Sequence, residues 1–408
     1  MSTLFERRLS FSGSKDPRDI IALCKALIVE KAEAGIFKLS ASIFDRYEEL
    51  TNEKRAYFFN FLNTELDIDA EAALKAAQAF ATDTSPTNYQ SLRQAAEAPR
   101  LTLFRKLNQI PGGTENLVRM RADLLPIKKA QPELSRTDQD LLFLLQAWFN
   151  RGFLVMRNIT WNSPATLLEK IIKYEAVHKI HRWADLRARL QPDDRRCFAF
   201  FHPSMPEEPL IFVEVALTNE VPNSIDAVLS DERDPLDPMK ATTAVFYSIS
   251  NCQAGLAGVS FGNSLIKQVV RELSVDFPQL KTFVTLSPIP DFMRWAAESE
   301  TAVDQSKPEL LSAQVADYLL NAKRSGGLPY DPVARFHLGN GAQIMDVHAN
   351  ADGSEPAAAQ SAGTMVNYHY DTNKIIDNQI AFENDQKISA AKKVRNLASA
   401  AKKSKLVA

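Results

Sequence analysis

Hydrophobic positions in this chain change period near residue 150. Over residues 16–150 they recur at helical spacing, as at Ile20, Ile21, Leu23, Leu27 and Ile28, and residues 70–80 are dominated by alanine, the strongest helix former. Alternation of period two is almost absent there. Ser85-Pro86 and Ser163-Pro164 each set a capping hydroxyl before a proline suited to a first helical turn, and breaks are expected at Pro99, at Pro111-Gly112-Gly113 and at Pro126. Residues 1–150 are therefore expected to form an all-helical domain of several short helices. The segment holds no histidine and clusters no catalytic residue types, so packing or oligomerisation is its expected role.

Beyond Trp148-Phe149-Asn150 the pattern turns mixed. Helices are predicted over 164–175 and 183–190, then strands over 196–201, 210–217 and 225–229, followed by a polar linker over 230–240. The central stretch begins with a β-branched and aromatic strand over 242–250 and runs into Gln253-Ala-Gly255-Leu-Ala-Gly258. A helix over 259–273 follows, with Leu265, Ile266, Val269, Val270 and Leu273 on one face, and then a strand over 281–287 that ends at Ser287-Pro288-Ile289-Pro290. Two glycines at a strand's end can bare amides toward a phosphate, with a helix N-terminus behind them; they can equally form a plain tight turn. Residues 304–323 are predicted helical, and the small, polar residues 351–363 read as a mobile loop beside His337. Residues 151–408 are thus expected to form a mixed α/β domain, a sheet with helices on its faces.

Composition narrows the chemistry. A net charge of −2 over 408 residues argues against a polyanionic partner, so no nucleic acid is expected. The longest apolar runs, such as 141–145, fall far short of the roughly 20 residues that span a bilayer, and the first residues lack an apolar signal core. The expected setting is cytoplasmic, with no membrane partner. Cys24, Cys197 and Cys252 are too few and too scattered for a disulfide framework or a zinc cluster, and Cys252 reads as a buried thiol rather than a nucleophile. Among His178, His181, His202, His337, His348 and His369 no pair has supported metal-site spacing, so no metal is expected and acid–base roles remain. His337, in Phe-His-Leu-Gly-Asn-Gly, is expected in a polar turn with its ring accessible. The last 22 residues carry seven Lys or Arg and no acid, the composition of a solvated basic helix or a frayed tail. Ser404-Lys405-Leu406 matches a peroxisomal address but precedes Val407-Ala408, where it should be silent.

Gln-x-Gly-x-x-Gly between a strand and a helix resembles the pyrophosphate loop of the GNAT acyltransferase fold, which cradles coenzyme A. The longer run GLAGVSFGNSLIKQVVRELSVDFPQL, followed by TLSPIPDF, resembles the malonyl-CoA decarboxylase family. So, in order, do WFNRGFLVMRNITWNSP from Trp148, RRCFAFFHPSMPEEPLIFVEVALT from Arg195, DPVARFHLGNGA from Asp331 and NYHY from Asn367 to Tyr370. The resemblance covers roughly residues 140–385. It implies a helical bundle followed by a GNAT-like catalytic domain, and decarboxylation of malonyl-CoA to acetyl-CoA within fatty acid metabolism. It also implies a homo-oligomer, dimer or tetramer, with no cofactor beyond the coenzyme A of the substrate. The family's catalytic serine falls on Ser287 and its catalytic histidine on His337, while Tyr370 matches an active-site tyrosine. The loop of Gln253, Gly255, Leu256, Ala257, Gly258, Val259, Ser260, Phe261, Gly262 and Asn263 is expected to hold the coenzyme A phosphates. Where the family often has a glutamate after Gly-Val this chain has Ser260, so no role for that carboxylate carries over.

Loss of carbon dioxide from a malonyl thioester leaves an enolate, so a site must stabilise an oxyanion and then protonate carbon; the thioester itself is the electron sink. Ser287 and His337 are expected to act as a pair, with a rate that depends on pH near the imidazole range, about 6 to 7. Two rival readings remain open on the glycine loop alone: a coenzyme A-dependent acyltransferase to an amine, and a non-catalytic acyl-CoA-binding scaffold.

Overall fold

The computed structural model describes residue 16 and residues 18–230, 232–259 and 265–405. They fall into two compact units. One contains the described residues up to Asn150 together with Gln253–Val259, and the other contains Arg151–Cys252 with the described residues after Val259.

The first unit is helical. Asp19 and Asp69 cap the helices Ile20–Val29 and Ala70–Thr82 through their carboxylates, and Ser85 caps Pro86–Ala95 by accepting from the Asn88 amide. Gly112, at φ +76°, turns the chain into the helix Gly113–Ala130. Pro126 lies inside that helix rather than ending it, so the break expected there does not occur. The missing donor costs one hydrogen bond near the helix end, while Leu117, Met120 and Leu124 bury the helix's apolar face. The core gathers Phe58, Phe59, Leu103, Phe104, Leu107, Leu141 and Leu145, all essentially inaccessible. Two buried arginines tie the helices together. Arg100 pairs with Asp67 at 2.9 Å and Asp140 at 2.6 Å, and Arg121 pairs with Asp138 at 2.8 Å.

The second unit is built on eight strands: β1 Val155–Ile159, β2 Arg195–Phe201, β3 Ile211–Thr218, β4 Thr243–Asn251, β5 Thr282–Thr285, β6 Ser287–Pro288, β7 Gln343–His348 and β8 Met365–His369. From β1 to β4 the neighbours are antiparallel, and β4 and β5 form the one parallel pair among the described strands. β5 and its continuation β6 share one edge of β8, with Val284 opposite His369 and Ser287 opposite Val366, and β7 takes the other edge. The chain crosses between β4 and β5 through the helix Leu265–Asp276, which buries Leu265, Ile266, Val269, Val270 and Leu273. A helical region followed by a mixed α/β sheet domain with helices is thus observed, as read from the sequence.

Several local expectations are corrected. Residues 225–229 form a short helix, not a strand, because Ile225 and Val228 are three apart and are buried together. The presumed mobile loop at 351–363 contains the helix Glu355–Ser361, capped by Ser354. Ser163 does not cap a helix; its hydroxyl accepts from the Thr160 amide in the preceding turn. The basic tail forms the helix Lys392–Lys405, which packs on Pro308–Asn321 and buries Val394, Ala398 and Ala401. Among the described residues no helix is long and apolar enough to cross a membrane.

Arg121 also donates from Nη1 to the carbonyls of Gly255 and Ala257, each at 2.7 Å, so it holds three partners within the helical unit. Arg121→Met removes the guanidinium and leaves the buried Asp138 with one cation fewer. The expected loss of stability is about 3–5 kcal/mol, read from urea unfolding of the full chain. A loss below about 1 kcal/mol would show that the guanidinium does not hold this region together.

Candidate active site

β4 and β5 run side by side only as far as the pair Phe246–Thr285, and the Leu286 amide then donates to the Phe246 carbonyl at 3.1 Å. β4 continues along β3 to Asn251, whereas the other strand turns through Ser287-Pro288 onto β8. The strands therefore part just where Ser287 lies. Alternation along β8 puts Tyr368 and the next-but-one residue, Tyr370, on a common face, and the Tyr370 amide is fixed to the Phe283 carbonyl at 2.8 Å.

His337 comes from the helix Pro332–Gly339. Asp331 caps this helix, its Oδ1 accepting from the amides of Val333 and Ala334 and its Oδ2 from the Tyr318 hydroxyl at 3.3 Å. After the helix Gly341, at φ +85°, passes so close to Ile375 that a Cβ would lie 2.0 Å from its carbonyl oxygen. His337 is 3% exposed, which corrects the expectation of an accessible ring in a polar turn. The six-residue polar motif spans the helix's last turn and the tight exit behind it, and the ring points inward.

Three of the residues singled out in the sequence meet here. Ser287 Oγ lies 3.1 Å from His337 Nε2, and Tyr370 Oη lies 2.7 Å from Nδ1. Ser287 in turn donates to Thr285 Oγ1 at 2.7 Å, and that oxygen also accepts from the Tyr368 amide at 3.2 Å. Since the serine's one proton goes to Thr285, the network assigns the imidazole proton to Nε2, donating to Ser287, and leaves Nδ1 to accept from Tyr370. The chain of donors runs Tyr370, His337, Ser287, Thr285. The Tyr368 ring stacks on the imidazole, with centroids 4.5 Å apart and planes 24° apart. Asn367 donates to the Thr285 carbonyl at 2.8 Å.

Burial with no charged partner pushes the His337 ring down to about 3, so the imidazole is neutral across the physiological range. This replaces the expected titration near pH 6 to 7. Burial likewise pushes the Tyr370 phenol well up and the Asp331 carboxyl up to about 6. Cys252 is buried with its thiol pushed up. Among the described residues no group of three or more His, Cys, Asp or Glu could hold a metal ion.

Sequence reasoning missed Thr285 and Tyr368. The signal was present: each stands two residues before a residue already singled out, and a strand repeats its facing every second residue.

In the helical unit, Gln253–Val259 forms a 3₁₀ turn over Ala254–Leu256 and then bends at Gly258, φ +80°. A Cβ on Gly255 would lie 1.8 Å from the Val118 carbonyl oxygen, so that glycine is needed for close packing on the helix Gly113–Ala130. The amides of Leu256, Ala257 and Val259 donate to Gln253, Ala254 and Leu256 within the loop, which takes them out of the set that could face a phosphate. The Gly258 carbonyl accepts from Gln146 Nε2 at 3.2 Å. Ser260, Phe261, Gly262 and Asn263 lie outside the described residues.

Comparison with known proteins bears directly on the assignment. The family model for the malonyl-CoA decarboxylase C-terminal domain matches residues 152–313 and 296–408, and that for the N-terminal domain matches 66–149. The malonyl-CoA decarboxylase of Anser anser anser, named as mitochondrial, is 35% identical over 347 residues, 73% of this chain and 69% of that protein. The Mus musculus enzyme of the same name is 33% identical over 345 residues, 72% of this chain and 70% of its own length. Crystal structures of malonyl-CoA decarboxylase from Rhodopseudomonas palustris (43% identity, TM-score 0.88) and Cupriavidus metallidurans (34%, 0.74) each cover 93% of this chain, and 100% and 98% of their own. On this agreement of two domain models, curated sequences and whole-chain structures, the chain belongs to the malonyl-CoA decarboxylase family.

Proposed function

We propose that Tyr370, His337 and Ser287 carry out the family's reaction, decarboxylation of malonyl-CoA to acetyl-CoA and carbon dioxide, through a proton relay in which the imidazole stays neutral. The observation that supports this reading is the buried, hydrogen-bonded chain of Tyr370, His337, Ser287 and Thr285. Breaking the bond between the carboxylate carbon and the α-carbon releases carbon dioxide and leaves the electron pair in the thioester enolate. Ser287, rotated from Thr285 to the α-carbon, gives up its proton there. As Nε2–H passes its proton to Ser287 Oγ, the Tyr370 hydroxyl passes its own to Nδ1 in the same step, so the ring stays neutral; water then reprotonates the phenolate, and the hydroxide left behind is taken up by the released carbon dioxide as bicarbonate. No step needs an imidazolium, which suits a ring that burial keeps uncharged. The thioester takes the electrons, so this reading needs no cofactor.

Coenzyme A is assigned to the backbone of the loop from Gln253 through Asn263. Its support is the left-handed bend at Gly258, a few residues ahead of the helix Leu265–Asp276. A homo-oligomer formed through the helical unit belongs to the same reading, supported by the exposed apolar side chains of Tyr57, Leu74, Tyr89 and Phe143. Cytoplasmic placement rests on three free, buried thiols.

Turnover of malonyl-CoA, followed as acetyl-CoA formed, tests the relay. Ser287→Ala and His337→Ala should each lose about 10²–10⁴-fold in kcat, and the double variant should lose little more because the two act as a unit. Losses that multiply would show two independent groups. Tyr370→Phe keeps the ring packed but removes the donor to Nδ1, so kcat should fall roughly tenfold or more while acetyl-CoA still binds. Unchanged kcat would remove the phenol from the relay.

The charge state is tested separately by ring nitrogen NMR shifts. Those of His337 should stay constant from about pH 8 to about pH 5, since its affinity for a proton is depressed to about 3. A midpoint near the usual imidazole value would put a charged ring in the site and overturn the neutral relay.

A further inference from the structure

Away from the candidate active site, the sheet unit holds a cavity of about 250 Å³ between the helix Trp183–Leu190 and the residues Val228, Leu229, Ser230, Arg233 and Pro235. Four cations line it, Lys179, Arg189, Arg195 and Arg233, against one acid, Asp185. Asp185 is already engaged: its carboxylate holds Arg182 at 2.8 Å and accepts from the amides of His181 and Arg182. Arg189 and Arg195 are 7% and 4% exposed, so two of the four charges are nine-tenths buried.

The wall behind the cavity supplies too little negative charge. Arg189 pairs with Glu214 at 3.0 Å, while Arg195 and Arg233 share the single carboxylate of Asp194, at 3.4 and 2.5 Å. Counting Glu175, which also acts on Arg189, the four cations face three carboxylates among the described residues, an excess of one positive charge with all three ionised. Hydrogen-bond capacity is in surplus as well. Each guanidinium has five N–H donors, and among the described residues the three spend five in all, on Glu214, the His178 carbonyl, the Asp194 carbonyl, the Val228 carbonyl and the Asp194 carboxylate. Buried cations in excess of their acids call for a bound counter-charge, and forked guanidinium donors match the oxygens of a phosphate.

We propose that this cavity is a second anion site that takes a phosphate dianion, free or as the head group of a small phosphomonoester. A phosphate carries about −1.5 to −2 at neutral pH, enough to offset the excess. The volume lies below the roughly 300–1,000 Å³ of pockets for larger ligands, so the site admits a phosphate with a short stem and excludes coenzyme A. It is also remote from Ser287. Arg195 opens β2, and β2 is three ladders from β5, or roughly 14 Å at the usual strand spacing.

Isothermal titration of the full chain with inorganic phosphate, at ionic strength held constant with chloride, tests the assignment, and a parallel titration with glycerol phosphate separates the two sources. Wild-type protein should bind one equivalent saturably, and whichever ligand binds more tightly identifies the source. The doubly neutralised variant K179Q/R233Q should bind roughly tenfold or more weakly while unfolding cooperatively in chloride, at a melting temperature lowered by loss of the Arg233–Asp194 pair. Should that variant fail to fold, K179Q alone, at an exposed position, should weaken binding roughly threefold. Wild-type protein that binds neither ligand saturably, or a folded variant that binds as tightly as wild type, would overturn the proposal.

Discussion

A histidine held out of water with only hydroxyl partners is the constraint on which the site depends. An imidazolium buried without a counter-charge is costly, so the ring stays neutral and the groups beside it must be able to serve a neutral ring. Hydroxyls meet that need because each can donate or accept. The same burial couples the site to folding. Between about pH 6.5, where a free imidazole titrates, and about 3, the unfolded chain binds a proton that native His337 refuses, so this group costs stability as pH falls. Asp331, which caps the same helix, has the opposite sign. Its folded value is raised from 3.8 to about 6, so the native state holds the extra proton, and that contribution is lost as pH rises through about 6.

Position follows from how the strands end. Had β4 and β5 stayed paired, Ser287 would sit in a closed ladder with its neighbours' side chains against it. The ladder stops at Phe246–Thr285, and a proline at 288 suits a strand that is leaving one partner for another. A bulge in the β3–β4 pair adds to the departure: Glu214 faces Ser248 and Val215 faces Phe246, which leaves Tyr247 as the extra residue. The serine is thus presented by a break in the sheet, while His337 comes from the helix that Asp331 caps and Tyr370 from the end of β8, its amide bonded to the Phe283 carbonyl.

Long periodic segments were legible in the sequence, and short or context-dependent ones were not. The helices starting at Ile20 and Ala70 and the strands β2, β3 and β4 lie within a residue or two of their predicted bounds because burial of one face enforces their period. Residues 225–229 were misread because a five-residue stretch with four apolar positions fits either period, and only the core it enters decides. Pro126 was misread because the rule for proline is local, whereas the helix around it is held by tertiary packing. At the site, the motifs pointed to Ser287, His337 and Tyr370, and the structure brings these side chains together. The state of the ring was not legible, since polar neighbours in sequence, Asn340 and Gly341, suggested exposure while its neighbours in space are Tyr368 and Tyr370.

The glycine loop shows why a motif underdetermines its cause. Gly255 reads as a residue that bares amides to a ligand, yet its lack of a side chain is already required by the carbonyl of Val118. Its own carbonyl and that of Ala257 are turned onto the buried Arg121. The amide that shares a peptide with the Gly255 carbonyl, that of Leu256, is bonded to the Gln253 carbonyl, so the packing that explains the glycine also closes that N–H to a ligand. Packing is therefore a sufficient explanation of Gly255. The close approach to Val118 and the pull of Arg121 fix the turn by packing within the helical unit alone.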